Sequence, residues 1–292
     1  MNLLPWQREA ARAVDERIAL DRVPHGWLII GTEGWGEARF GHWLALRLLA
    51  LDINLDASTL AHPDLFWGVP DGALHRVDAI RALVEFAQGG PQVAPRKVIV
   101  LEQAHAMNRN AANALLKTLE EPPAGVHLLL LTSRPGQLLA TVRSRCQRLV
   151  LPVDQAAGAA WLAQQVPKSS LEALLFEHGE APLAVLEAHA SGRVSLVDAL
   201  EGALSGNGIK ELSEQWAKLG LADISARWLR YVQDALAGGG RLPSIAHVSP
   251  RRLAAFAQEL QWIRRQLLSS NSVNERLMAE RLLDGWRGLL KA

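Results

Sequence analysis

The chain has 292 residues, 49% of them hydrophobic and 21% charged, which excludes disorder as a description of the whole and leaves ample length for two domains or one large one. Its 31 Lys and Arg against 30 Asp and Glu leave a formal net charge of +1, so no global positive field exists to hold nucleic acid unaided. Cys146 is the single cysteine, which excludes an internal disulfide and a thiolate zinc cluster and fits a reducing compartment.

The first twenty residues mix Arg8, Arg12 and Arg17 with Glu9, Asp15 and Glu16, the wrong pattern for a signal peptide. Pro5, Trp6, Ala10, Ala13, Val14 and Ile18 have helical spacing with Pro5 at the start. Trp27-Leu28-Ile29-Ile30 predicts a short buried strand that ends in a glycine-rich turn, and residues 38–51 predict a helix. The apolar run 43–51 is broken by Arg47 and falls far short of the roughly 20 residues that cross a bilayer. A location in the cytoplasm, away from any membrane, is expected.

A second unit follows, with a helix over 77–87, a strand at Val98-Ile99-Val100-Leu101, and a helix that Asn108 caps and Pro122-Pro123 ends. Residues 126–131 predict a third strand. Strands that are apolar throughout and alternate with helices point to a parallel sheet covered on both faces. Beyond Leu151-Pro152 the pattern becomes successive amphipathic helices, punctuated at Ser191-Gly192, Ser205-Gly206-Asn207-Gly208 and Gly238-Gly239-Gly240. The expected organisation is an α/β domain at 1–152, a small helical domain at 153–191 and a larger all-α domain at 192–292.

Gly31-Thr32-Glu33-Gly34-Trp35-Gly36-Glu37-Ala38 lies between a strand and a helix start, and fits the phosphate-loop spacing G-x-x-x-x-G-K-[ST] up to its last glycine. Glu37 then replaces the lysine that reaches terminal phosphates, and Ala38 replaces the hydroxyl that holds magnesium. A unit-charge contact at about 4 Å is worth around 1 kcal/mol in water and about 4 at an effective dielectric of 20, so the exchange turns an attraction into a repulsion. A dinucleotide fingerprint beginning at Gly34-Trp35-Gly36 ends on Arg39 where a small residue is needed. The strand at 98–101 runs into Glu102-Gln103, where an ATPase carries two acids, and Gln103 cannot act as a base. Both halves of an ATPase site are therefore altered.

Ser144-Arg145-Cys146 follows the third strand, with Arg134, Arg143 and Arg148 nearby. An arginine cluster is ordinarily a solvated face, but a planar guanidinium at a subunit boundary can stabilise a neighbour's transferring phosphoryl group. The nine histidines, His42, His62 and His105 among them, show no metal-ligand spacing, so structural roles are expected for them.

With those residues in view, the sequence resembles the delta-prime family of bacterial DNA polymerase III clamp-loader subunits, within the AAA+ superfamily. The resemblance rests on Pro5-Trp6, His62-Pro63-Asp64, Val77-Asp78-Ala79-Ile80-Arg81, Ser144-Arg145-Cys146 and one long block. That block is Asn110-Ala111-Ala112-Asn113-Ala114-Leu115-Leu116-Lys117-Thr118-Leu119-Glu120-Glu121-Pro122-Pro123. It is firm to about residue 152, and Val273-Asn274-Glu275-Arg276-Leu277 resembles a last collar helix more loosely.

The resemblance implies an AAA+ domain, a helical lid and an all-α collar that assembles the complex, for which Trp262, Leu267, Leu277, Leu283 and Trp286 are candidate apolar positions. It implies a non-hydrolysing stator without a cofactor, held in a ring with gamma/tau motor subunits and a delta subunit. It implies help in loading the sliding clamp onto primed DNA, with the clamp touched weakly or indirectly. Arg145 would be an arginine finger acting in trans, Ser133 the sensor-one position, and a sensor-two arginine would be missing near Pro182. Relatives often carry a four-cysteine zinc module before the His-Pro-Asp segment; the stretch 51–61 has no cysteine, so no metal is expected. The competing readings are an active AAA+ motor of a clamp or helicase loader, which Glu37, Ala38 and Gln103 oppose, and an NAD-dependent enzyme, for which no acid-base pair is identifiable.

Overall fold

The computed structural model describes residues 3–72, 74–191, 195–204, 208–269 and 273–290; the breaks read at Gly192 and at Ser205-Gly206-Asn207 lie outside them. Two compact units are present, Met1–Trp161 and Leu162–Ala292.

The first unit is built on five parallel strands: β1 (Gly26–Ile30), β2 (Leu65–Gly68), β3 (Lys97–Leu101), β4 (Val126–Thr132) and β5 (Gln147–Val150), in the order β2-β3-β4-β1-β5. Alternation along the strands divides the core in two. Trp27, Ile29, Val98, Val100, Leu129 and Leu131 pack with α1 (Arg8–Ala19) and α2 (Glu37–Leu48). Leu28, Ile99, Leu101, Leu128 and Leu130 pack with α3 (Val77–Ala87) and α4 (Arg109–Glu120). Both faces of the sheet are thus covered, the condition under which a parallel sheet is stable.

The three central strands and α3 fall where the sequence pattern puts them. Pro5 opens a separate turn of 3-10 helix, Pro5–Gln7, ahead of α1. The Oδ1 of Asn108 accepts from the N–H of Ala111 at 2.9 Å, capping α4 as its position predicts. The two edge strands, β2 and β5, are additions to the sequence reading. A four-residue α5 (Ala140–Arg143) leads into β5.

α6 (Gln155–Leu162) contains the boundary between the units. The second unit continues with α7 (Lys168–Glu177), α8 (Pro182–Ala190), α9 (Leu196–Leu204), α10 (Ile209–Leu219), α11 (Leu221–Leu236), α12 (Pro250–Ser269) and α13 (Glu275–Gly288). Its core centres on Trp216, Trp228, Phe256 and Trp286, with Trp228 5.3 Å from each of the other three rings. The indole N–H of Trp286 donates to the carbonyl of Leu200 at 3.0 Å, so this ring is buried without losing a hydrogen bond. Glu177 is buried and accepts from the Ser195 hydroxyl (2.6 Å), the Leu196 N–H (2.6 Å), Arg227 Nη1 (2.9 Å) and the Tyr231 hydroxyl (2.8 Å). Of the apolar collar positions, Leu283 and Trp286 are core, Leu267 packs beside it, and Trp262 and Leu277 are 41% and 57% exposed.

Candidate functional site

The loop between β1 and α2 turns on its glycines. Gly34 (φ 77°) and Gly36 (φ 90°) lie in the left-handed region, which costs a glycine no Cβ clash. The Gly31 N–H donates to the Thr132 carbonyl at 3.1 Å, tying the loop's start to β4. Its far side is held by the amino-terminal turn: Trp6 Nε1 donates to the Trp35 carbonyl (3.0 Å) and Gln7 Nε2 to the Gly36 carbonyl (2.7 Å). The Trp6 and Trp35 rings meet edge to face at 5.4 Å, and Gln7 is fully buried. Sequence reasoning missed Gln7, whose task depends on a carbonyl 29 residues away.

Glu37 is the first residue of α2. A Cβ at position 31 would come within 2.6 Å of the Glu37 Cβ and 3.3 Å of its Oε2, so the carboxylate lies against the loop's first glycine. Burial is the main cause holding this carboxyl above its ordinary value; a hydrogen bond from its own backbone N–H opposes the rise, and the charges of Glu33 and Glu102 add to it. The neighbouring Ala38 has no hydroxyl to offer a metal.

Glu102 directly follows β3 and is committed locally. Its Oε1 accepts from Trp67 Nε1 at 2.8 Å, and its carbonyl lies 2.7 Å from His75 Nε2. Gln103 follows with φ 45°, an uncommon left-handed conformation for a residue with a Cβ. Glu37, Gln103 and Ser133 converge on one cleft of about 370 Å³, together with Glu33, Leu74, His105, Arg134 and Gln137. The guanidinium of Arg134 sits 3.6 Å from Glu33. His105 Nδ1 is 3.0 Å from the Thr132 hydroxyl, and burial followed by the charge of Arg134 lowers its pKa, keeping the ring neutral near pH 7. The cleft thus holds two carboxylates, Glu33 and Glu37, against the one guanidinium of Arg134.

Ser144, Arg145 and Cys146 lie at the other end of the sheet. β5 runs parallel to β1 with Gln147 opposite Trp27, so Arg145 precedes both strands at their amino ends, while the loop leaves β1 at its carboxyl end. A five-residue strand separates the two by about 16 Å at roughly 3.3 Å per residue. Arg145 cannot reach its own chain's cleft across that distance. Its Nη2 lies 2.6 Å from Glu120 Oε1, and its Nη1 donates to the Thr141 carbonyl at 2.9 Å and lies 3.4 Å from the Ser144 hydroxyl. The side chain is 35% exposed. Cys146 is buried in the core, and burial pushes its thiol up to about 12, so it packs and does not react near neutral pH. Arg143 donates to the Pro135 carbonyl at 2.9 Å.

The His-Pro-Asp segment turns out to be architectural. Asp64 is buried and accepts from the backbone N–H groups of Gln92 (2.6 Å), Val93 (2.7 Å) and Ala94 (2.8 Å). His62 Nδ1 accepts from the Asp64 N–H at 3.0 Å. Pro182, near which the resemblance expects a sensor-two arginine to be missing, is the buried first residue of α8. Among the described residues no group of three His, Cys, Asp or Glu side chains is placed to hold a metal, and no helix is long and apolar enough to cross a membrane.

Comparison with solved structures gives a DNA polymerase III gamma subunit-related protein from Thermotoga maritima, 21% identical, with a TM-score of 0.61 over 98% of this chain and 100% of that one. The parallel sheet covered by helices, followed by an all-α carboxy-terminal region, is the fold of that protein. A family model described as DNA polymerase III, delta subunit, matches residues 6–155. The chain is also similar to DNA polymerase III subunit delta' of Pseudomonas aeruginosa, at 31% identity covering 99% of this chain and 98% of that protein. It is 30% identical to the subunit of the same name in Escherichia coli, over 97% of this chain and 95% of that one. The chain belongs to the DNA polymerase III subunit delta' family.

Proposed function

We propose that this chain is the ATP-independent stator of the replicative clamp loader. The observation that carries the reading is the division of labour across the sheet: at its carboxyl end Glu37 lies over the loop where a nucleotide's phosphates would sit, and at its amino end Arg145 faces outward, too far away to serve that cleft. Such a chain contributes no ATP turnover of its own. It holds a gamma/tau motor subunit and the delta subunit in register and supplies Arg145 to the motor's ATP. Residues 153–191 act as the lid and 192–292 as the collar through which the ring assembles; the sliding clamp is touched weakly or indirectly, and primed DNA only in the assembled complex. The chain needs no cofactor or metal and works in the cytoplasm.

Titration calorimetry of the isolated chain with Mg-ATP tests the first half: no saturable heat is expected, and micromolar binding overturns it. Reconstitution with motor and delta subunits tests the second. Arg145→Ala should leave the complex assembled while lowering DNA-stimulated ATP turnover. An arginine finger is worth about 10³ to 10⁵ in rate at its own site, but one site among several motors is affected, so the total falls far less. Arg145→Lys should rescue poorly, because a point ammonium does not reproduce the planar fork. Assembly with unchanged turnover would return Arg145 to the surface arginines.

A further inference from the structure

We propose that Glu120 is the positioning residue of Arg145, a role that rests on the trans reading of that arginine. Glu120 closes α4, a helix fixed along its length: Asn108 caps its start, Ala111, Ala112, Leu115, Thr118 and Leu119 are buried, and Pro122-Pro123 forbids its continuation. The His25 ring nitrogen, 3.2 Å from the Leu119 carbonyl, ties the last turn to the segment entering β1. The carboxylate at 2.6 Å from Nη2 is therefore delivered by a rigid element. A second anchor comes from another helix, since the Thr141 carbonyl of α5 takes Nη1 at 2.9 Å.

A guanidinium has five N–H donors in one plane. Thr141 and Ser144 accept hydrogen bonds from Nη1, and the Glu120 carboxylate forms an ion pair with Nη2. The Nε–H has no protein partner among the described residues, Nη2 meets no other group than the Glu120 carboxylate, and the side chain remains 35% exposed. Two donors in a fixed plane are what a phosphoryl group takes from an arginine. Stability does not account for the pair, because exposed ion pairs contribute little net free energy and must order two long side chains. What the pair fixes is direction. Arg145 left to its own rotamers would have to be ordered each time a neighbour's ATP arrived, whereas gripped at both terminal nitrogens it is already aimed.

Glu121, adjacent in sequence and exposed, is the control. In the complex reconstituted with motor and delta subunits, Glu120→Ala should lower kcat for DNA-stimulated ATP hydrolysis by about two- to tenfold, less than Arg145→Ala, with KM for ATP unchanged; misplacement by 1 Å can cost 10²-fold at a single site. Glu120→Asp keeps the charge but is one methylene too short and should lose activity too, which carries the test if Glu120→Ala assembles poorly. Glu120→Gln keeps an acceptor in place and should retain most of the rate. Glu121→Ala should be silent, and Glu120→Ala with Arg145→Ala should be no slower than Arg145→Ala alone. Wild-type or faster turnover by Glu120→Ala overturns the proposal, the faster result marking Glu120 as a counter-ion that holds Arg145 back. A double variant well below Arg145→Ala overturns it as well, since Glu120 would then act by another route. Unchanged turnover in Arg145→Ala itself overturns the trans reading and this inference with it; loss in Arg145→Ala beside unchanged Glu120→Ala and Glu120→Asp overturns this inference alone.

Discussion

Asp64 and Glu37 are carboxylates drawn out of water at opposite ends of one parallel sheet, Asp64 before β2 at the amino end and Glu37 after β1 at the carboxyl end. Burial pushes both toward the protonated form, and their surroundings answer differently. For Asp64, burial raises the pKa, but the N–H groups of Ala94, Val93 and Gln92 outweigh it, and the carboxyl ends below its ordinary value. For Glu37, burial prevails over a single hydrogen bond from its own N–H, with Glu33 and Glu102 adding repulsion. The sign of a buried carboxylate is set by how many donors are aimed at it. At the amino end an anion holds structure together; at the carboxyl end one is held against its preference, in the place where an ATPase keeps a lysine.

Variants sharpen that contrast. The largest effect is expected for Asp64→Ala, which leaves three backbone N–H groups buried and unpaired and should cost about 3 kcal/mol or more in urea unfolding. Because the folded pKa of Asp64 is depressed, its contribution is present above the ordinary carboxylate value and is lost as pH falls through the folded one; the deficit of the variant should shrink in acid. Gly31→Ala comes next: the new Cβ would meet that of Glu37 at 2.6 Å, and such overpacking costs about 1–3 kcal/mol. Trp67→Phe removes the donor to Glu102 and should cost about 1 kcal/mol by thermal melting. The smallest effect has the opposite sign. Glu37→Gln keeps an acceptor for the N–H and removes the charge, so it should stabilise by a few tenths to about 1 kcal/mol near pH 7. A raised folded pKa favours the fold below the unfolded value and disfavours it as pH rises through the folded one, so this gain should vanish in acid. A Glu37→Gln protein less stable at pH 7 would erase the difference between the two ends.

The sequence makes the central strands legible because burial on both faces leaves Val98-Ile99-Val100-Leu101 and residues 126–131 unbroken by polar residues. Edge strands lack that signal: β5 opens with the exposed Gln147 and Arg148, and β2 is four residues beginning directly after Asp64. The altered loop is legible because its glycines keep their spacing, and Glu37, Gln103 and Ser133, read separately at the ends of elements, do reach one cleft. Gln7, Trp67 and Glu120 were out of reach. Each acts on a partner 25 to 35 residues distant in the chain, through an amide, an indole and a carboxylate that are unremarkable where they stand. The apolar positions of the carboxy-terminal helices show another limit. Spacing alone does not separate Trp286, fully buried, from Trp262, which lies open beside Arg281.

Glu177 carries a consequence in time. Its one carboxylate receives the first amide of α9 and two side chains of α11 while belonging itself to the end of α7. The Leu196 N–H can be released to water only when that grip on three helices opens. Its hydrogen exchange should then proceed at the rate of the interior of α11, as one cooperative opening and not as the fraying of a helix end, although Leu196 is the first residue of its helix.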